Sequence, residues 1–161
     1  VQSALIRPVQ PQDNAAMAAI IQQVLKEFNA NKPGTAYFDQ SIHDLYTSFR
    51  APAAGYWVIT TQQHLWGGGG IYPTEGLPAG YCELVKLYLL PAARGQGWGK
   101  QLIAQCCTAA AEKGYTHMYL ETMPELHTAI PLYEKMGFEY LTAPLGQSGH
   151  YSCTVWMVKT L

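Results

Sequence analysis

The chain has 161 residues, 48% of them hydrophobic and only 13% charged, with a formal net charge of −1. That length predicts one domain with a well-filled core, and the composition excludes a disordered chain. The near-neutral charge supplies no basic stripe to hold DNA or RNA. No apolar run approaches the roughly 20 residues of a membrane-spanning helix.

A first strand is expected over Ala4 to Val9, ended by Pro11. Asp13 is placed to cap a helix whose stripe is Met17, Ile20, Ile21, Val24, Leu25 and Phe28, an apolar set at helical spacing. Asn29 to Phe38 reads as loop, and Ser41 with Asp44 resembles a capping box opening a short helix lined by Ile42, Leu45, Tyr46 and Phe49. Tyr56 to Thr61 and His64 to Tyr72 form a hairpin around the turn Gln62-Gln63. Gly67 through Gly70 interrupts its second arm, which suggests a bulge or a close backbone approach, with room beside a reaction centre as the functional reading.

Pro73 to Gly80 is loop, and Tyr81 to Leu90 is so apolar that both faces of the strand must be covered. A helix follows from Trp98 to Lys113, stopped by Gly114. His117 to Thr122 alternates as a strand, and Glu125 to Met136 is a helix in which Pro131 marks either a kink or the true start. Phe138 to Leu141 and Tyr151 to Lys159 complete the strands, with loop from Ala143 to Gly149.

Cys82, Cys106, Cys107 and Cys153 make no C-x-x-C pair, and His43, His64, His117, His127 and His150 make no H-x-x-x-H pair, so no metal site is expected. The chain shows no basic start leading into an apolar leader. A cytoplasmic setting with reduced, buried thiols is the expectation.

The densest chemical information lies in Arg94-Gly95-Gln96-Gly97-Trp98-Gly99-Lys100, between the apolar strand and the following helix. A strand feeding a glycine turn feeding a helix gathers backbone N–H groups and a positive helix end at one point, an arrangement that binds phosphate oxygens. The spacing fits neither a P-loop, whose terminal Ser/Thr is here Gln101, nor G-x-G-x-x-G, because the third glycine comes one residue early. It does fit R-x-x-G-x-G at Arg94, Gly97 and Gly99. Further on, Ala129-Ile130-Pro131-Leu132-Tyr133-Glu134-Lys135-Met136-Gly137-Phe138 reads A-x-x-L-Y-x-K-x-G-F.

These two motifs, in this order, resemble the GNAT superfamily of acetyl-coenzyme A-dependent N-acetyltransferases, from about Tyr81 to Tyr140. The resemblance implies an α/β (α+β) fold in one GNAT domain, a mixed twisted β-sheet of about seven strands with helices on both faces. It implies an acyltransferase that passes acetyl from acetyl-CoA to a primary amine of a small molecule or amino acid, by direct attack in a ternary complex. Arg94, Gly95, Gln96, Gly97, Trp98, Gly99 and Lys100 are then the pyrophosphate residues, with Trp98 on the pantetheine or, more simply, on the sheet. Leu87, Tyr88 and Leu89 fall where the preceding strand pairs with the pantetheine and offers an oxyanion donor.

An alkyl amine is mostly protonated at neutral pH, so a base is needed. The family's glutamate position matches Glu83, alone in an apolar strand where burial raises a carboxyl pKa. Strict alternation sets Glu83 and Lys86 on opposite faces, so a pairing between them needs a bulge. Glu121 on the neighbouring strand is the fallback base. Tyr133 matches the family's general acid, with a structural hydroxyl as the other reading. The signature's usual Asn is here Leu126.

The acceptor pocket is expected from Asn29 to Phe38, Gly67 to Tyr72 and Ala143 to Tyr151, with Tyr37, Phe38, Tyr72, His150 and Tyr151. Family members often pair final strands between subunits, which makes a homodimer an open expectation. The alternatives are a non-catalytic acyl-CoA-binding sensor, acetylation of a protein amine, and a covalent route through Cys82, for which no activating base is found.

Overall fold

A computed structural model of the protein describes residues 3–161. These form a seven-stranded sheet in the order β1-β2-β3-β4-β5-β7-β6. The strands are β1 (Leu5–Pro8), β2 (Gly55–Thr61), β3 (His64–Tyr72), β4 (Tyr81–Leu89), β5 (His117–Thr122), β6 (Glu139–Leu141) and β7 (Val155–Thr160). Every neighbouring pair is antiparallel except β4 and β5. The helices are α1 (Asn14–Glu27), α2 (Leu45–Ser48), α3 (Trp98–Glu112) and α4 (Ile130–Lys135).

Helices cover both faces, as the alternation along the strands requires. Met17, Ile21, Val24 and Leu25 of α1 pack with Tyr56 and Val58 on one side. Ile103, Cys106 and Ala110 of α3 pack with Cys82, Leu84, Met118 and Leu120 on the other. Trp98 joins Ile59 and Leu102, so its indole packs on the sheet. No helix among the described residues is long and apolar enough to cross a membrane.

Several local expectations change. Asp13 does stand at the N-cap of α1, but its carboxylate makes no cap bond; it accepts from Arg7 at 2.7 and 2.9 Å instead. The cap of α2 is Asp44, which accepts from the Thr47 N–H, and Ser41 falls in a preceding 3-10 turn, Gln40–His43. Pro131 marks the true start of α4, because proline fits the first turn, where no intrahelical N–H bond is lost. The last strand begins at Val155 rather than Tyr151 and lies between β5 and β6. The outer strands among the described residues are therefore β1 and β6, and β6 covers Trp156, Met157 and Val158 of β7.

The Gln62-Gln63 turn is present with φ of 48° and 69°, the left-handed geometry that suits a tight hairpin. The four glycines stay within β3, and their register to β4 slips between Gly68 and Gly70. A Cβ on Gly68 or Gly70 comes within 2.7 or 2.6 Å of the Tyr56 ring, and one on Gly69 within 2.6 Å of Leu87. The space is filled by packing, not held open beside a reaction centre.

That packing shapes β4. One residue of β3, Gly69, opposes two of β4, Lys86 and Leu87, and Lys86 takes φ +52° at the bulge. The Tyr56 hydroxyl, admitted by the glycines, donates to the Lys86 carbonyl at 2.7 Å. Tyr56→Phe should therefore cost about 1–3 kcal/mol in urea unfolding, because the carbonyl loses its partner in a buried site. Before the bulge Leu84 packs on the α3 side and Val85 on the α1 side; after it Leu87 faces α3 and Tyr88 faces α1.

Candidate active site

Among the described residues the only parallel strand pair is short. Tyr81, Cys82 and Glu83 pair with His117, Met118 and Tyr119, and β4 then runs on to Leu89 and β5 to Thr122 without pairing to each other. The gap opens into a cavity of about 610 Å³. Its walls are the two separated strands. One end is the glycine turn with the start of α3, and the other holds Glu83, Lys86, Glu121 and His150.

At the first end, Gly95 and Gly97 have φ of +77° and +81°, and a Cβ on either would meet nothing within 4 Å. Backbone geometry demands glycine there, and the face of the turn is open. The first helical bond runs from the Gln101 N–H to the Gly97 carbonyl. The N–H groups of Trp98, Gly99 and Lys100 in the first turn of α3 have no intrahelical acceptor, at the positive end of the helix dipole. This cradle fits a diphosphate.

Gly99 serves a different purpose: its Cβ would stand 2.9 Å from Leu132 Cδ2, so it lets α3 approach α4. Arg94 is occupied. Its guanidinium grips both Glu27 oxygens at 2.7 and 2.9 Å and the Leu89 carbonyl at 3.0 Å, tying the turn to α1. Gln96 bonds back to the Ala92 carbonyl and lies outside the cavity wall. Lys100 is exposed at the cavity's edge, while Leu87, Tyr88 and Leu89 line its middle.

At the other end Glu83 is 3% exposed. Burial pushes its carboxyl up to about 7, opposed by the Thr74 hydroxyl that donates to it and reinforced by nearby Glu121. The Thr74 bond is 2.6 Å long. The bulge brings Lys86 near Glu83, but its ammonium bonds Asp39 at 3.0 Å, and His150 Nε2 lies 2.7 Å from the same Asp39 oxygen. Burial raises the Asp39 pKa, yet the His150 bond and the Lys86 charge outweigh it and leave it low. Glu121 has no cation partner among the described residues; its oxygens accept from Ser148 and, at 2.5 Å, from Tyr119.

Tyr133 lies on the wall between the two ends, 7% exposed, its ring edge-on to Phe138. Burial holds its phenol well above the ordinary tyrosine range, so it keeps its proton. Cys82 is sealed in the core under α3, its thiol pushed up to about 12 by burial, and it does not line the cavity.

The model of the Acetyltransferase (GNAT) family matches residues 18–138. The chain belongs to this family. Over 162 residues it is 41% identical to the uncharacterized N-acetyltransferase YjgM of Escherichia coli K12, covering 99% of this chain and 96% of that one. Rat N-acetyltransferase 8B is 30% identical over 70% of this chain and 54% of its own length. Among solved structures, a GNAT-family acetyltransferase from Staphylococcus aureus superposes with TM-score 0.85 at 16% identity over 99% of both chains. The PaiA N-acetyltransferase of Thermoplasma acidophilum, in complex with coenzyme A, gives 0.76 at 17% identity, covering 99% of this chain and 100% of that one.

Within this GNAT domain the acceptor end differs from expectation. Of Tyr37, Phe38, Tyr72, His150 and Tyr151, only His150 lines the cavity. Phe38 and Tyr151 are largely exposed, and Tyr72 packs against Phe49 on another part of the surface. Thr35 and Ala36 contribute from the first loop, and Gly67 to Tyr72 contributes nothing to the wall.

Sequence reasoning missed the ion-paired Asp39, the wall residue Cys153 and Thr122. Thr122 is 2% exposed, and its Oγ1 is the one buried side-chain polar atom among the described residues without a hydrogen-bond partner. Such an orphan costs about 1–3 kcal/mol. A signal did exist: Met118 and Leu120 make one face of β5 apolar, and Thr122 breaks that pattern at its end.

Proposed function

We propose that this N-acetyltransferase transfers the acetyl group of acetyl-CoA directly to a primary amine of a small molecule, with both substrates bound together. The observation that carries this reading is a buried carboxyl at about pKa 7, Glu83, in one cavity with the proton-bearing Tyr133 and an open glycine cradle. Acetyl-CoA supplies an activated acyl thioester when bound. Gly95, Gly97 and the first amides of α3 hold its diphosphate, and Leu87, Tyr88 and Leu89 flank its arm.

Glu83 takes the proton from the acceptor's ammonium at its carboxylate oxygen. A base poised near neutrality combines a useful deprotonated fraction with real proton affinity. Tyr133 Oη holds the proton that a departing thiolate requires. Glu121, fixed by Tyr119 and Ser148, adds an anion beside Glu83, while Lys86 and His150 are both matched to Asp39. That balance favours an acceptor whose amine has no neighbouring carboxylate, so simple amines and diamines rank above α-amino acids.

Thiol release from acetyl-CoA across amines, diamines and amino acids tests the reading, and silence on every acceptor would favour a non-catalytic acyl-CoA-binding module. On an active acceptor, Tyr133→Phe should lower kcat by about 100-fold or more and leave the dissociation constant of acetyl-CoA unchanged. Equal turnover would reduce Tyr133 to packing.

A further inference from the structure

We propose that Thr122 is a cofactor-contact residue: its hydroxyl hydrogen-bonds an amide of the uncharged arm of bound acyl-CoA. The proposal rests on the reading of the cavity as an acyl-CoA site and adds to it a polar contact that neither motif contains. Three observations meet at this residue. Thr122 is buried with Oγ1 unpaired, and it lines the cavity. It also stands past the last paired position of the parallel strands, Glu83 with Tyr119, and so has β7 alone as backbone neighbour, at Val155.

The position carries a hydroxyl where valine would have nearly the same shape. Buried polar groups are paired in the great majority of cases, and an exception calls for a partner that arrives later. Nothing else at this end of the strand offers one. The following segment presents Met123 and Leu126, both packed in the apolar cluster under α1.

The chemistry of the missing partner follows from the surroundings. The middle of the cavity carries Leu87, Leu89, Leu120 and Leu132, a lining suited to an uncharged chain rather than to phosphate. A hydroxyl both donates and accepts, which suits an amide-bearing chain. Rotation about χ1 exchanges Oγ1 with the similarly sized Cγ2 between staggered positions without moving the backbone.

The test compares wild type with Thr122→Val and Thr122→Ser, using calorimetric titration with two probes, coenzyme A and adenosine 3′,5′-bisphosphate. The second probe is the nucleotide end of coenzyme A without its arm. Thr122→Val should bind coenzyme A about tenfold more weakly, bind the bisphosphate as wild type does, and unfold at the same temperature or higher when free of ligand. Thr122→Ser should keep wild-type affinity for coenzyme A.

If Thr122→Val binds coenzyme A as tightly as wild type, or loses both probes equally, the contact is overturned while the site survives. If wild type itself binds no coenzyme A, the reading of the cavity falls and takes this contact with it.

Discussion

Gly97→Glu should abolish the rise in melting temperature that acetyl-CoA confers on the wild-type protein. Gly97 caps α3 at φ +81° with open space where a side chain would begin. A carboxylate there projects into the cradle and opposes the diphosphate it must admit. The substitution also strains the backbone, because a left-handed conformation costs a residue with a Cβ about 1–2 kcal/mol. Gly114 supplies the control: it follows the other end of the same helix at φ +92°, again with nothing near its Cβ position. Gly114→Glu should lower the melting temperature by a similar amount and keep the acetyl-CoA shift. A shift retained in Gly97→Glu would place the cofactor elsewhere.

Glu83→Gln should slow transfer by roughly 10²–10⁴-fold and remove a rise in kcat/KM that wild type shows as pH passes about 7. Below that pH the wild-type carboxyl is already protonated, so the two proteins differ most above it. The same residue makes a stability prediction of known sign. Burial raises the folded pKa to about 7 from an ordinary 4.5, so the folded state holds this proton more tightly than the unfolded chain. Its contribution is complete below about pH 4.5 and is lost as pH rises to about 7. The loss amounts to about 3 kcal/mol at most. Urea unfolding at about pH 4 and pH 8 should show that dependence in wild type and a flatter one in Glu83→Gln. Transfer unaffected by the substitution would leave the base unassigned.

The parts of this molecule that were legible in its sequence are those set by local chemistry. The bounds of β5 follow from alternation over His117 to Thr122, and the start of α3 follows from glycines that only a left-handed turn requires. The A-x-x-L-Y-x-K-x-G-F segment carries Tyr133 on α4 at the cavity wall, a site residue that only the family resemblance implied. What escaped depends on contacts between distant segments. The glycine run in β3 suggests a bulge or a close backbone approach, and both are present, but only the Tyr56 ring shows that the space is filled rather than open to a ligand. Arg94 looked like a free cation until Glu27, far back in the chain, was found in its grip. Of the expected acceptor residues His150 does line the wall, and Thr35 and Ala36 come from the expected Asn29–Phe38 segment, whereas Phe38 and the expected tyrosines stay off it and the Asp39 ion pair lies behind. A one-residue bulge at Lys86 reversed the alternation on which the side assignments in β4 depended.

The brevity of the β4–β5 ladder bears on how the chain stays in one piece. Residues 5–89 build an antiparallel meander from neighbours in sequence, and the strands after α3 form a second ribbon joined to it through three paired positions. A ligand wedged between the parted strands touches both ribbons and serves as a rivet across the weakest seam of the sheet. Occupancy and mechanical cohesion are then one property, and the loaded enzyme will resist prying apart at a place where the empty one is only lightly stitched.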